Sequence, residues 1–452
     1  MAANGEKARE PASLDWLSKR ERSRRWGLWF RLREWLQGSL IIVPSIYLVG
    51  VLILSFGVPQ VERNGDMLKL DVASSTGVTL LSSIAGGMIA FTGLVVSIAV
   101  LVVQFSAGQY SPRLVSRFRR DPILKHSLGV FIAPALYSLI TLRNIGQDGG
   151  DVAPSLTIGV AFALFGAAIL SFFVLVGRLL DLLRPRRLVA HLVEQGAHAA
   201  TEVYPFRYGQ APADPDPGGD EVGKPTVLSF PGSPAVLIAL DRGRLVREAT
   251  RADVVIELTV GVGAYLPREA PIIRVHRHAD SGEVNEAEVQ RSLMVGDGRT
   301  ITQDPGFAVR VMVDVAARAL SPAINDPTTA VEVLDGLETV LLALSWRDLR
   351  RGQIADSEGR LRLTFPNPGW EELLDLSLTE IRRFGAGSPQ VTRRMRALLN
   401  DLLAHTPDER DAAVLAQLAR FEAAVRAAVS DPVELEYALT ADRLGIGTVA
   451  PR

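Results

Sequence analysis

Four intervals in the N-terminal half contain no Asp, Glu, Lys or Arg: Trp35–Val61, Val72–Pro112, His126–Leu142 and Val152–Gly177. A helix needs about 20 mainly apolar residues to cross a hydrocarbon core of about 30 Å, and the first, second and fourth intervals reach that length. The third, "SLGVFIAPALYSLITL", is shorter and carries Pro134, with Lys125 and Arg143 placed to snorkel at its ends. The pattern predicts four transmembrane helices, over about 39–58, 78–104, 126–144 and 155–177. The first begins too late, and lacks the small-residue cleavage pattern, to be read as a cleaved signal peptide.

Beyond Arg184 the periodicity changes. "RRLVAHLVEQGAHAATEVY" predicts an amphipathic continuation of the fourth span to about Tyr208, and "GQAPADPDPGGDEVGKP" a Pro/Gly-rich linker. Strand-like runs follow, "TVLSF", "AVLIALD", "VVIELTVG", "AYL" and "PIIRVHRH", with turn residues at short intervals. Helical periodicity then covers about 307–320, 328–345, 370–383, 389–404 and 408–429. The predicted fold is an α-helical membrane domain of four transmembrane helices followed by a cytoplasmic α+β domain, with a small β-rich module and a helical C-terminal part. In segments, this is a basic amphipathic leader 1–38, a membrane domain 39–183, a helix and linker 184–224, a β-rich module 225–300, a helical domain 301–432 and a tail 433–452.

Charge distribution adds an orientation. "SKRERSRRWGLWFRLREW", "SPRLVSRFRRDPILK" and "RLLDLLRPRR" are rich in arginine, whereas "PQVERNGDMLKLD" and "RNIGQDGGDVAP" are mixed or acidic. The positive-inside rule then puts both termini and the C-terminal half in the cytoplasm. The leader's arginines, interleaved with Trp16, Trp26, Trp29 and Trp35, suit a helix lying on an anionic bilayer surface or serve as the topology signal alone. The net charge of −1 argues against a nucleic-acid partner, and the absence of cysteine excludes disulfides, thiolate metal sites and cysteine nucleophiles. No span carries an acidic residue by this reading, which disfavours a carboxylate proton relay.

The second interval is 41 residues long; as one helix it would extend about 60 Å, twice the hydrocarbon thickness. Its small residues Ser75, Thr79, Ser82, Gly86, Ala90, Gly93 and Ser97 step by 3 or 4 and trace one face, continued by Gln104 and Gly108. Such a face serves close helix packing or lines a pore near an oligomer axis, with Gln104 a candidate constriction. After it, Arg113, Arg117 and Arg120 fall on one face of a short interfacial helix or pore mouth.

Conventional catalytic motifs are missing: the sequence has no GxxxxGK[ST], HExxH, GxSxG or Rossmann glycine motif, so no enzyme activity and no cofactor are expected. "GVGAYLP" reads as a turn or bulge. His276, His278 and Asp280 alternate along "HRHAD" and are weak candidates for a metal, since ligands on one strand do not close a tetrahedral site. The strongest polar constellation pairs "GDGRTITQDPGF" with "ALSPAINDPTTAVEVLD". Asp304 (or Thr302) and Asp326 read as N-caps followed by helices, and Ser321-Pro322 as a helix end. If the two turns face one another, Arg299 pairs with Asp326 or Asp304, and Arg299, Gln303, Asp304, Ser321, Asn325 and Asp326 form a buried polar network or a site for a ligand.

Together, "LLSSIAGGMIAFTGLVVSIAVLVVQFSAGQYSPRLVSRFRRD" and "GDGRTITQDPGFAVRVMVDVAARALSPAINDPTTAVEVLDGL" resemble the bacterial membrane-protein family called domain of unknown function 2254. The resemblance runs from the first span to about residue 345 and implies a multi-pass inner-membrane protein with a cytoplasmic C-terminal part; it brings no activity or catalytic residues. The residues lead to an oligomeric channel-like or transport-related protein whose cytoplasmic half assembles or gates it, with the bilayer, further copies of itself and an ion or small molecule as partners. The alternative is a non-conducting anchor or sensor whose cytoplasmic domain binds a protein or small ligand.

Overall fold

The computed structural model describes residues 36, 39–64, 72–109, 121–148, 152–153, 155–182, 184–210, 216, 223–349 and 352–446. The chain divides into two units, one ending at Arg184 and one beginning at Pro185.

Among the described residues, the first unit is built from four helices: α1 (Ile42–Asn64), α2 (Ser74–Gln109), α3 (Pro122–Asp148) and α4 (Ser155–Leu182). Each is long and apolar enough to cross a membrane, over Ile42–Glu62, Ser74–Ser106, Pro122–Ile145 and Ser155–Asp181. The third and fourth spans thus outrun their charge-free intervals by about a turn, the first by one residue, and the second stays inside its interval. Glu62 and Asp181 fall within helix ends, which corrects the reading that no span carries an acid. Glu62 acts as a cap from a distance. Its carboxylate accepts from Leu156 N at 2.9 Å, Thr157 N at 3.2 Å and Thr157 Oγ1 at 2.7 Å, satisfying the orphan amides that open α4. At the opposite end of α4, Arg178 donates to Asp121 at 2.8 Å, and Asp121 also caps α3 through Ile123 N at 3.0 Å.

Strands β1 (Val72–Ala73) and β2 (Val152–Ala153) pair antiparallel, joining the α1–α2 and α3–α4 connections, so these two loops share one side of the bundle. Helix α3 packs on the other three, around Leu81, Met88, Phe131, Tyr137 and Leu175. Phe91 meets Phe131 and Phe172 edge-on at 5.6 and 5.2 Å. Gly129 is obligatory for the α1–α3 approach, since a Cβ there would lie 2.4 Å from the Tyr47 ring.

In the second unit, α5 (Pro185–Val203) is a separate helix, not a continuation of α4 to Tyr208; Arg184 and Pro185 break the run because proline cannot supply the N–H that helix continuity needs. Its apolar side, Leu188, Val189, Leu192, Ala199 and Ala200, is buried. Next come β3 (Thr226–Ser229), β4 (Ala235–Leu240), α6 (Arg242–Ala252), β5 (Val254–Leu258), β6 (Tyr265–Leu266), β7 (Pro271–Arg277), α7 (Glu286–Arg291) and β8 (Leu293–Gly296). Helices α8 (Pro305–Ala319) and α9 (Pro327–Ser345) follow, then β9 (Gly352–Ala355), β10 (Leu361–Phe365), α10 (Trp370–Gly385), α11 (Pro389–His405), α12 (Asp411–Ala428) and α13 (Pro432–Leu439).

The five runs read as strands all contain strands, but α6, α7, β8 and the β9–β10 hairpin were not anticipated. The larger sheet has the order β3-β7-β5-β10-β9, and its β10 runs parallel to β5. Two strands from inside the helical part therefore complete the β-rich module. Order β6-β4-β8 forms a second, three-stranded sheet. Helix α13 falls where a tail was expected, capped by Asp431 through Val433 N and Glu434 N, both 2.9 Å.

Candidate functional site

Helix α8 opens on Asp304 as N-cap with Pro305 in its first turn. Proline is suited there because its missing N–H would have been an orphan anyway. One Asp304 oxygen accepts from Phe307 N at 2.9 Å; the other accepts from Arg299 Nε at 3.0 Å and Nη2 at 2.6 Å. The guanidinium also lies 5.4 Å from the Phe307 ring centroid. Beside it, Gln303 is buried and clamps strand β4, accepting from Leu240 N at 2.9 Å and donating to Leu240 O at 3.3 Å. The start of α8 is therefore tied to the end of β4.

The loop "GVGAYLP" sits on this pair. Gly263 has φ +93°, and a Cβ there would fall 2.5 Å from both Arg299 Nη2 and Asp304 Oδ2; at Gly261 it would fall 2.8 Å from Pro366 O. The loop is a turn, as the sequence suggested, closed by Gly263 N donating to Leu237 O at 2.7 Å. Gly263 allows close approach to the half-exposed Arg299–Asp304 ion pair, and Gly261 close approach to the Pro366 backbone.

An open cleft of about 500 Å³ borders the same residues, lined by Tyr204, Gly261, Gln303, Asp304, Asn367 and Glu372 among others. Tyr204 Oη donates to Pro368 O at 3.0 Å, and burial, aided by the charges of Asp304 and Glu372, raises its pKa and keeps it protonated. Glu372 accepts from Gly369 N at 2.7 Å. Among the described residues the lining holds two carboxylates, two amides and a phenol, but no Ser, Thr, Cys, Lys or His. Such a wall can bind a small polar molecule; it does not assemble a nucleophile with a base. Tyr204, Asn367 and Glu372 were missed in the sequence, where the only signal was the "PNPG" turn before α10.

The six residues of the expected network separate into two groups. Arg299, Gln303 and Asp304 lie at the start of α8, whereas Ser321, Asn325 and Asp326 lie beyond its end. The helix of 15 residues between them is about 22 Å long, so Arg299 pairs with Asp304 and not with Asp326. The second group is a self-contained corner: Asn325 takes φ +50°, its N–H donates to Ser321 O at 2.9 Å, and Asp326 N donates to Ala319 O at 2.7 Å. Asp326 caps α9 through Thr329 N at 3.1 Å and Thr329 Oγ1 at 2.5 Å.

His276 is engaged by Glu257 of the neighbouring strand, at 2.9 Å, while His278 N donates to Ser281 Oγ and Asp280 is exposed. Among the described residues no three His, Asp or Glu side chains converge as a metal site. In the membrane unit, Ser82, Gly86, Ala90, Gly93, Ser97 and Gln104 are all exposed, and nothing approaches a Cβ at Gly86 or Gly93 within 4 Å. Leu81, Ile84, Met88, Val95 and Ala99 are instead the buried side of α2. Arg113, Arg117 and Arg120, and the basic leader up to residue 35, lie outside the described residues.

Burial raises the pKa of Asp304 above its ordinary 3.8, with Arg299 and the Phe307 amide pulling the other way. The folded chain therefore holds this proton at pH values where the unfolded chain has released it, and stability falls as pH rises through the raised value. Asp304→Asn keeps a capping oxygen but cannot titrate. In amide exchange of the first turn of α8, wild type should lose protection across this interval while the variant stays flat; parallel profiles would rule Asp304 out as the source.

Residues 37–401 match the family described as "Predicted membrane protein (DUF2254)". An uncharacterized protein of Mycobacterium tuberculosis (strain H37Rv) and one of Mycobacterium bovis are each 28% identical to this chain, covering 93% of it and 81% of their own length. No solved structure matches the chain.

Proposed function

The chain belongs to the DUF2254 family of predicted membrane proteins, and from that premise we propose that it is a homo-oligomeric, channel-like protein of the inner membrane. The small-residue face of α2 lies at the subunit contact around a conduction path, and the second unit, on the cytoplasmic side, assembles or gates it. One observation carries this reading: the stripe from Ser82 to Gln104 points away from the other three helices of its own bundle. Small residues do nothing for an isolated bundle when turned outward to lipid; against another copy they allow backbones to approach closely. Termini on the arginine-rich side, and the absence of catalytic chemistry, belong to the same proposal.

The test is ion flux through purified protein in proteoliposomes, with empty vesicles as baseline. Wild type should conduct, and Gly93→Asp should change flux severalfold while leaving the oligomer seen by light scattering intact. A monomer in both mild detergent and nanodiscs, or no flux across several ions and voltages from folded protein, would sink the channel reading. The cleft beside Tyr204 and Asp304 favours the second reading, a non-conducting sensor whose soluble unit binds a small polar ligand.

A further inference from the structure

The packing of the second unit gives it two distinguishable ends. Two residues separate Leu182, the last of α4, from Pro185, the first of α5, so the start of α5 is where the second unit is joined in the chain to the fourth span. Helix α9 runs alongside α5 in the same direction: Gly336 lies against Val189 and Val193, and Arg347 donates to Thr201 Oγ1 at 3.3 Å. Helix α8 runs the opposite way, with Ala308 against Gly196. Helix α10 is parallel to α8, since Arg310 binds Glu380 and Gly385 lies against Leu320. The α8–α9 corner and the α10–α11 turn therefore gather at the end where the chain arrives from the span. The C-terminal segment joins them there, held by Gln390 Nε2 donating to Gly445 O at 2.7 Å and by Gly445 against Val331.

That end carries large apolar side chains in the open: Ile324 40%, Phe384 51%, Leu444 70% and Ile446 69% exposed. They come from three separate segments, the α8–α9 corner, the last turn of α10 and the C-terminal segment, and stand outside the unit's core. Arg318 and Arg383 are exposed on the last turns of α8 and α10 beside them. Exposed apolar groups interspersed with arginine match a bilayer interface, where the apolar groups enter the acyl boundary and the cations meet anionic headgroups.

We infer that the end of the soluble unit bearing Ile324, Phe384, Leu444 and Ile446 is a membrane-docking surface for anionic lipid. The polar corner Ser321–Asp326 then has a use that its internal hydrogen bonds leave open: it needs no ligand to hold its shape, and it presents Ile324 to the bilayer. This does not depend on conduction; an anchor or a channel would use the surface alike.

The chain has no cysteine, so single labels are unambiguous. Full-length Ile324→Cys, Leu444→Cys and, as control, Glu409→Cys are labelled with an environment-sensitive fluorophore in vesicles containing nitroxide-tagged lipid. Glu409 adjoins Arg410, which donates to Arg347 O at 2.6 Å at the far end of α9. Labels at 324 and 444 should be quenched in phosphatidylglycerol vesicles and the label at 409 should not. Arg318→Glu and Arg383→Glu should each weaken the quenched state about fivefold, as should replacing the anionic lipid with phosphatidylcholine. Equal, weak quenching at all three positions would overturn the proposal. So would excimer formation by pyrene at position 324 without lipid quenching, since a second copy would then occupy the surface.

Discussion

Gly263→Val is expected to lower the thermal midpoint of the second unit by roughly 10 °C, measured on the full chain in detergent. Two effects add. Gly263 sits at φ +93°, where a β-branched residue carries a strain of about 1–3 kcal/mol. A side chain there would also occupy the space of the Arg299–Asp304 contact, 2.5 Å from each. Displacing Arg299 leaves Asp304, only 6% exposed, without its cation. Arg299 itself, with 41% of its side chain exposed, can turn to water, so the loss falls mainly on the carboxylate. The combined cost is about 3–5 kcal/mol. Gly298→Val is the control, because a Cβ there meets nothing within 4 Å, and it should cost under about 0.5 kcal/mol. Equal midpoints for the two variants would show that the glycine loop is not seated on the ion pair.

The second large effect lies in the β9–β10 hairpin. Asp356 and Arg362 are each only 4% exposed at the side chain and meet at 2.6 Å. Asp356 also accepts from Glu358 N at 2.9 Å and Arg360 N at 3.1 Å, which shapes the turn, while Arg362 reaches Asp253 at 2.7 Å. Asp356→Ala removes the turn's acceptor and strands a buried guanidinium on one half-exposed partner, at a cost of about 3–5 kcal/mol. Arg362→Met removes the cation instead; Asp356 keeps its two amide donors, and the cost should be about 1–2 kcal/mol. Unfolding midpoints, with amide exchange in β10 to localise the change, decide the order. An Arg362→Met variant less stable than Asp356→Ala would mean that the arginine's packing, not its charge pairing, holds the hairpin.

Much of the helical architecture was legible because it rests on local chemistry. The four spans follow from intervals without charge, and Glu62 and Lys125 fall inside helix ends where they find partners. Helices α8, α9 and α11 follow from apolar periodicity with Asp-Pro or Ser-Pro starts and α10 from periodicity after a Pro-Gly turn, and Asp304 and Asp326 cap as their neighbours demand. The turn at Gly261–Gly263 was legible as a turn, but its cargo was not, because nothing near residue 263 in the chain announces Arg299.

Tertiary structure decided the rest. Strand β10 pairs with β5 from about a hundred residues away, Leu363 opposite Ile256, and a short run such as "LRLTF" is not distinctive until that edge is present. Whether Arg299 met Asp304 or Asp326 depended on the length and rigidity of α8, which holds the two turns a full helix apart. The small residues of α2 show their spacing in the sequence, but which way they face is set by Leu81, Met88 and Val95 burying themselves against the neighbouring helices. Local hydrogen bonding and the aversion of charge to lipid act over one turn or one span, and the sequence alone determines what they govern. Partner choice between distant segments is settled by packing, and only the folded chain reveals it.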